Sequence, residues 1–238
     1  MVTKNQIKLV VSLKQKKYRS QHGLFVVEGE KLVKELLREG LRPFKIFVAI
    51  GHDFKGYAEV DQISTTDLKQ MSSLKQPNGV LGVFHMTRAR QFETSDWIVA
   101  LDAVRDPGNL GTIIRLCDWF GIKQLVCSED TVDCFNPKVL QATMGSIARV
   151  NILYMDLPTF ITKSELPVFG AFMDGTSIYT QKMPEKGLLV MGNEANGISK
   201  EISDLVTERI SIPQFGASTA ESLNVATATA ILLNEIRR

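Results

Sequence analysis

The sequence predicts an α/β fold in two parts. From Trp97 onward, six short apolar runs alternate with helical patterns, which is typical of a mostly parallel sheet with helices on both faces. Residues 1–88 form a shorter unit of mixed helices and strands, and the polar, aperiodic stretch 89–96 is interpreted as a linker. We therefore predict a small N-terminal α/β domain, residues 1–88, and a larger C-terminal α/β domain, residues 97–238.

The N-terminal part begins with a basic segment that is predicted to be one helix over residues 4–18. A second helix follows, in which Leu32, Leu36 and Leu37 share one face before Gly40 ends it. Two strands, "PFKIFVAI" and a short one near "AEVDQIS", come next. A short helix in "STTDLKQMSSL" and a strand in "GVLGVFHM" complete the part.

The C-terminal part contains the six apolar runs "WIVALD", "KQLVCSE", "VNILYMD", "VFGAFMD", "GLLVMG" and "ERISIP". Helices are predicted in "NLGTIIRLCDWFG", "NPKVLQATMGS", "SKEISDLV" and the C-terminal segment. Ligands of parallel sheets bind at the carboxyl ends of the strands. We therefore expect the functional site in the loops that follow these runs.

Composition narrows the class of protein. The chain is 44% hydrophobic and 23% charged, with no apolar run long enough to span a bilayer. Its first residues show no apolar h-region or small-residue cleavage site, so a secreted protein is not expected. The three cysteines form no CxxC pair and the three histidines are far apart, so a metal site is not indicated and a reduced, cytoplasmic protein is expected. Walker, GxGxxG and GxSxG motifs are absent.

The charge is unevenly distributed. Residues 1–45 contain 11 Lys or Arg and 4 Glu, a balance of +7. The other 193 residues contain 28 − 11 = 17 basic and 26 − 4 = 22 acidic residues, a balance of −5. The basic segment is either a polyanion-binding arm or a solvated helix face.

The loop "RDPGNLGTIIR" follows the first C-terminal run. Asn109 is predicted to cap the next helix. Arg115 lies on that helix and could hold a phosphate or a developing oxyanion. Alternatively, it is a surface residue that pairs with Asp118 or Glu129.

The loop "VMGNEANGIS" has Gly192 and Gly197 on either side of its polar residues. Glycines at these positions can expose backbone N–H and C=O groups to a ligand. Glu194 could orient a substrate or brace the loop. An ordinary tight turn between strand and helix would also fit the pattern.

The loop "IPQFGASTAESLN" precedes the C-terminal helix. Ser222 is the predicted N-cap, and Leu223 and Asn224 open the helix, whose free N–H groups would face the ligand zone. A C-terminal helix that only docks onto the core is the alternative.

Taken together and in this order, the loops resemble those of the SpoU (TrmH-type) branch of the SPOUT superfamily of RNA 2′-O-ribose methyltransferases. Asn109, Gly111 and Arg115 match the first motif, and residues 192–197 match the second. Ile212-Pro213 with Ser222, Leu223 and Asn224 matches the third. "ATMGS" is similar to an interior helix end of that family, and "KYRSQHGLFVVEGEKLVKELL" is similar to its N-terminal RNA substrate-binding domain.

The resemblance implies a deep trefoil knot in the C-terminal domain, a rare exception to unknotted folds. It implies binding of S-adenosylmethionine, homodimerisation, and methylation of a ribose 2′-hydroxyl in tRNA or rRNA. The small residues after Asn224 would let the terminal helix pass through a loop of its own chain. The cofactor-binding residues implied are Met173, Gly192, Asn193, Gly197, Ile212, Pro213, Ser222, Leu223 and Asn224.

The resemblance also implies catalytic and RNA-binding residues. Arg115 would stabilise the emerging alkoxide or, less in keeping with the strong basicity of a guanidinium, accept the proton. Asn109 and Asn224 would position the ribose or brace the loops, and Glu194 would orient Arg115 or the substrate. Contacts to RNA phosphates would come from Lys14, Lys16, Lys17 and Arg19.

Some residues depart from the family pattern. Gln214 stands where many members have Met, and "GASTAE" is a polar version of the segment before Ser222. Two other functions fit the residues: a non-catalytic RNA-binding protein that keeps the fold, and an enzyme that uses another nucleotide in the same pocket. The sequence does not identify the RNA, the nucleotide or the modified position.

Overall fold

A computed structural model describes residues 2–55, 57, 59–87, 90–216 and 222–238. The chain folds into two compact units. Unit 1 contains residues 1–88 and 133–148, and unit 2 contains residues 89–132 and 149–238. The segment 133–148 therefore packs with N-terminal residues, although unit 2 precedes and follows it in sequence. Residues 88 and 89, where the predicted linker begins, lie outside the described residues.

Unit 1 is built on a four-stranded sheet. Its strands are β1 Leu24–Glu28, β2 Pro43–Ala49, β3 Asp61–Ile63 and β4 Val80–His85. They lie in the order β1-β4-β2-β3; β4 is antiparallel to both of its neighbours, and β2 and β3 are parallel. The predicted strands correspond to β2, β3 and β4, whereas β1 was not predicted.

The basic N-terminal segment forms two helices, α1 Lys4–Ser12 and α2 Lys16–His22, so the single predicted helix over 4–18 was wrong. Thr3 and Gln6 form a capping box at the start of α1. Gln15 has extended backbone and begins α2. The break is stabilised by one guanidinium, since Arg19 Nη1 donates to the carbonyl oxygens of Leu13 and Lys14 at 2.9 Å each.

Arg19 was predicted to contact RNA, and the structure corrects this prediction. Its side chain is only 3% exposed and pairs with the Asp133 carboxylate, besides binding the two carbonyls of the helix break. A guanidinium enclosed in this way is a structural residue of unit 1. Lys14 donates to the Ser72 carbonyl at 2.7 Å, whereas Lys16 and Lys17 are exposed.

Three further helices and a short 3-10 helix complete unit 1. The helices are α3 Glu30–Arg38, α4 Thr65–Met71 and α6 Pro137–Thr143, and the 3-10 helix is Ser146–Ala148. The Ser64 hydroxyl caps α4 by accepting from Asp67 N at 3.0 Å. Phe135, in the segment that returns to unit 1, packs its ring 4.8 Å from that of Phe25 on β1.

Unit 2 is built on a six-stranded sheet in the order β10-β8-β9-β5-β6-β7, and every neighbouring pair is parallel. All six predicted strands are present, so the predicted α/β class with a mostly parallel sheet is confirmed. The strands are β5 Ile98–Leu101, β6 Gln124–Cys127, β7 Asn151–Tyr154, β8 Val168–Ser177, β9 Leu188–Met191 and β10 Glu208–Ser211.

Helices cover both faces of this sheet. On one face, Ile98, Ala100 and Val190 join a buried cluster with residues of α7 Leu157–Lys163 and α8 Lys200–Ser203. The alternate strand residues point to the other face and are equally buried. There, α5 Pro107–Trp119 contacts β6 and packs against the terminal helix α9 Val225–Ile236.

The pairing of β8 with β10 is interrupted. Arg209 pairs with Gly170, but the next residue, Ile210, pairs with Thr176, so residues 171–175 form an excursion from the ladder. Arg209 holds this excursion, because its guanidinium stacks 3.5 Å from the centroid of the Phe172 ring and donates to Asp174 at 2.6 Å.

The structural role of Arg19 can be tested by unfolding. We expect Arg19→Met to lower the free energy of unfolding by about 3 kcal/mol, because it leaves Asp133 Oδ2 and two carbonyl oxygens without their donor. Urea denaturation would measure the change, with the exposed Lys17→Met as the matched control. A loss equal to that of the control would contradict the role.

Candidate functional site

A cavity of about 460 Å³ opens at the carboxyl ends of β9 and β10, beside the excursion of β8 and the start of α9. Its walls are mostly apolar, with polar side chains such as those of Asn193, Glu194 and Asn224 among them. Parallel sheets bind ligands at this edge. All nine residues implied as cofactor-binding line it: Met173, Gly192, Asn193, Gly197, Ile212, Pro213, Ser222, Leu223 and Asn224.

The loop between β5 and α5 is hydrogen-bonded to Asn193 and Glu194, which line this cavity. Asp106 caps α5 by accepting from Asn109 N at 2.9 Å, so the prediction of Asn109 as the cap was wrong. Pro107 occupies the first turn, where a missing N–H does no harm. An Asp immediately before a Pro is the sequence signal that could have identified the cap.

Ala103, earlier in the same loop, has a φ of 57°, an uncommon conformation for a residue with a side chain. Both of its backbone groups are held. Its N–H donates to the Ser128 hydroxyl at 2.9 Å, and its carbonyl accepts from Asn193 Nδ2 at 2.6 Å. The loop after β5 is therefore fixed by residues that follow β6 and β9.

Glu194 ties the second loop to the first. Its carboxylate accepts from the backbone N–H groups of Arg105 and Asp106 at 3.3 and 3.2 Å, and from Asn109 Nδ2 at 3.0 Å. Glu194 was predicted either to orient a substrate or to brace the loop. These contacts hold the two loops together, so Glu194 acts as a brace between them.

The environment of Glu194 favours its charged form. Partial burial acts to raise its pKa, but the hydrogen bonds from Asn109 and from the backbone of Arg105 and Asp106 outweigh burial. The pKa of Glu194 therefore lies below its ordinary value of 4.5. The brace is ionised at neutral pH.

Asn224 continues the chain of hydrogen bonds into α9. Its Nδ2 donates to Asn109 Oδ1 at 2.8 Å, and its Oδ1 accepts from Ala226 N and Thr227 N at 2.9 and 3.2 Å. Asn224 is thus the N-cap of α9, and the prediction of Ser222 as the cap was wrong. Residues 217–221, which contain most of the "GASTAE" segment, lie outside the described residues.

The glycine loop closes on itself beside the cavity. Asn193 and Gly197 exchange two backbone hydrogen bonds of 2.9 Å, and Gly197 has a φ of 67°. Gly192 lies so close to this turn that a Cβ would overlap the backbone of Gly197 and Ile198. Only glycine fits at this position, because the turn occupies the space that a side chain would need.

Arg115 lies on α5 and is exposed. It makes no hydrogen bond or ion pair with any residue that the structure describes, and Asp118, one of its two predicted surface partners, instead binds Arg149 at 2.9 Å. The structure thus brings Asn109, Glu194 and Asn224 together and leaves the guanidinium of Arg115 outside their network.

Metal-binding and membrane-spanning features are missing from the described residues. In this part of the chain, no group of three or more His, Cys, Asp or Glu side chains could hold a metal ion. None of the described helices has the length and hydropathy to cross a membrane.

Two family models match the chain. Residues 96–234 match the SpoU rRNA Methylase family, and residues 4–82 match the MRM3-like substrate binding domain. The first match covers more than half of the chain and includes every residue that lines the cavity.

Individual proteins are similar over nearly the full length. The 23S rRNA (guanosine(2553)-2′-O)-methyltransferase RlmP of Bacillus subtilis is 32% identical, with 98% of this chain and 97% of that protein covered. A structure from Porphyromonas gingivalis, assigned to the TrmH family of RNA methyltransferases, is 38% identical with a TM-score of 0.88, covering 100% and 98% of the two chains. An AdoMet-bound rRNA methyltransferase from Sinorhizobium meliloti is 30% identical with a TM-score of 0.86, covering 100% and 95%.

The closed turn beside Gly192 gives a first test of the site. Gly192→Ala should lower the free energy of unfolding by about 1–3 kcal/mol, because the methyl group has no space beside Gly197 and Ile198. Thermal unfolding would measure it. Gly216→Ala is the matched control, since nothing lies within 4 Å of the added methyl; equal stability of the two variants would show that the turn is not closed as described.

The charge of the Glu194 carboxylate can be tested by the pH dependence of thermal stability. The lowered pKa means that the carboxylate of Glu194 stabilises the fold fully above its ordinary pKa, and that this contribution is lost as pH falls through the lowered value. Glu194→Gln should therefore have a lower melting temperature than the native chain at pH 7, and the difference should shrink at acidic pH. The exposed Glu165→Gln is the control, and a difference independent of pH would contradict the charged brace.

Proposed function

The chain belongs to the SpoU rRNA methylase family, and on this premise we propose that it transfers a methyl group from S-adenosylmethionine to a ribose 2′-hydroxyl of rRNA. The observation that carries the proposal is the cavity in unit 2. It is lined by all nine residues that the family motifs implied for the cofactor. The similar protein from S. meliloti, which is AdoMet-bound, supports the same ligand here.

The cavity fits this cofactor in size and chemistry. Its volume of about 460 Å³ lies within the range of small-molecule sites. Met191, Ile212 and Leu223 supply apolar surface for a nucleobase. Gly192 lines the cavity, and its backbone N–H and C=O supply a donor and an acceptor for the polar groups of the ligand.

The residues around the cavity suit a methyl transfer. S-adenosylmethionine supplies a methyl group on a sulfonium, which is already a good leaving group, so the protein has to align the hydroxyl and help it lose a proton. We assign Arg115 to the stabilisation of the developing alkoxide, because a guanidinium carries a fixed charge and this one makes no hydrogen bond or ion pair with the described residues. Asn109, Glu194 and Asn224 hold the surrounding loops in place.

Unit 1 would bind the RNA. Most of it matches a substrate binding domain, and the similar B. subtilis protein acts on 23S rRNA, which favours rRNA over tRNA. Lys16 and Lys17 are exposed, and the ammonium of Lys14 has donors left beyond its bond to Ser72. We retain these three lysines as phosphate contacts.

The remaining features of the family extend the proposal. We propose that the chain forms a trefoil knot around α9, assembles as a homodimer and is located in the cytoplasm. The first buried residues of α9 are Val225, Ala226 and Thr229. Their side chains are small enough to let another segment of backbone pass close to the helix. Trp119 is 81% exposed on α5 and offers an apolar contact for a second copy. The three cysteines are buried thiols, as expected in a reducing compartment.

The test separates cofactor binding from transfer. We expect calorimetry to show binding of S-adenosylmethionine to the native chain and equally to Arg115→Ala, because Arg115 does not line the cavity. Methylation of rRNA from a strain that lacks the protein should fall at least about a hundredfold in Arg115→Ala. Arg115→Lys is the matched control that keeps the charge and should retain part of the activity.

Each outcome decides one part of the proposal. Absence of cofactor binding by the native chain would argue for a non-catalytic RNA-binding protein. Full activity in Arg115→Ala would remove this residue from the reaction while leaving the enzyme assignment intact.

A further inference from the structure

A β-bulge exposes an aromatic ring on unit 1. In the pairing of β2 with β4, Pro43 lies opposite Phe84 and Lys45 lies opposite Val83, so Phe44 has no partner. Bulges redirect a side chain, often next to a binding site. Phe44 is 44% exposed. Its ring meets the imidazole of His85 at 5.9 Å between centroids and nearly at a right angle, which holds the ring in place.

The ring forms one wall of a cavity of about 330 Å³ that lies entirely within unit 1. Tyr57 and Glu59 also line this cavity, together with Lys45 and Asp61. Lys45 and Asp61 form an ion pair of 3.1 Å with each other. The cavity therefore combines two aromatic residues with a carboxylate, Glu59, that has no hydrogen bond or ion pair to any described residue.

One exposed cation adjoins the cavity. Arg42 immediately precedes Pro43, which lines the cavity. Its guanidinium can hold a phosphate of the RNA while the attached base enters the cavity. Aromatic faces beside basic residues are the usual means by which proteins hold single-stranded RNA.

We propose that this cavity binds one unpaired guanine base of the RNA, stacked on Phe44 and hydrogen-bonded to Glu59. The inference rests on the proposed function only in taking RNA as the substrate. Guanine presents two adjacent donors, N1–H and the N2 amino group, on its Watson–Crick edge. A carboxylate has two acceptor oxygens and no donor, so it can accept both.

The other bases match Glu59 less well. Adenine and cytosine each place a ring-nitrogen acceptor beside their amino donor, and uracil places carbonyl oxygens on both sides of its single N–H. Each would bring a lone pair toward the carboxylate. The cavity thus selects by hydrogen bonding as well as by stacking.

The test measures binding of short single-stranded RNAs to the full chain by fluorescence anisotropy. The probes are uridine oligomers with one central guanosine, adenosine or inosine, because inosine keeps N1–H but lacks the N2 amino group. The native chain should bind the guanosine probe about fivefold or more tightly than the adenosine probe, with inosine between them.

Variants locate the effect. Phe44→Ala and Phe44→Leu should weaken binding of the guanosine probe about tenfold, since leucine keeps the apolar bulk but not the aromatic face. Phe44→Tyr should bind as the native chain does. Glu59→Gln should remove the preference for guanosine, and Ile50→Ala, which removes an exposed apolar side chain outside the cavity, should change nothing.

Unchanged affinity in Phe44→Ala, or an equal loss for all three probes in Glu59→Gln, would overturn the inference. Its failure is distinguishable from that of the proposed function. Cofactor binding and methylation concern the cavity of unit 2 and are measured separately. A chain that methylates rRNA but shows no guanosine preference would refute this inference alone.

Discussion

The site in unit 2 depends on one carboxylate. Glu194 joins its own loop to two others: it accepts two hydrogen bonds from the backbone before α5 and one from Asn109, which in turn accepts from the N-cap of α9. Three loops that are far apart in sequence are thus joined at one point. A neutral amide side chain has a single acceptor oxygen and could not receive all three bonds as well.

The polar residues of the motifs fall into two groups: three that bond to one another, and Arg115, which does not bond to them. Asn109, Glu194 and Asn224 satisfy each other, so their donors and acceptors are largely used in holding the loops. Arg115 is exposed on α5 and lies outside this network. Such a site is organised before its ligand arrives, which lowers the cost of ordering it during the reaction.

Sequence patterns predicted the strands of unit 2 because buried parallel strands are nearly continuous apolar runs, as in β5 and β9. They failed where a distant partner decides the structure. The helix break at Leu13 depends on a guanidinium that also pairs with Asp133, far along the chain. The strand β1 and the helix α7 were missed, the latter although Asp156 caps it and a proline follows within its first turn.

The sequence predicted which residues line the site, but it did not predict how they bond to one another. The family resemblance named nine of the residues that line the cavity. No pattern in the sequence could show that Asn109 and Asn224 bond to each other or that Ala103 adopts a positive φ. Those features arise only when the loops meet at the edge of the sheet.

The return of residues 133–148 to unit 1 has a consequence for synthesis of the chain. The ring of Phe135 belongs to the packing around β1, and Asp133 is the partner of Arg19. When the first 88 residues leave the ribosome, their fold still lacks these groups, and it can be completed only after β5 and β6 have also been made. Domains usually form in the order of translation. Here unit 1 is complete only after residues 133–148 have been synthesised, when part of unit 2 has also left the ribosome. The two units therefore cannot be completed strictly one after the other.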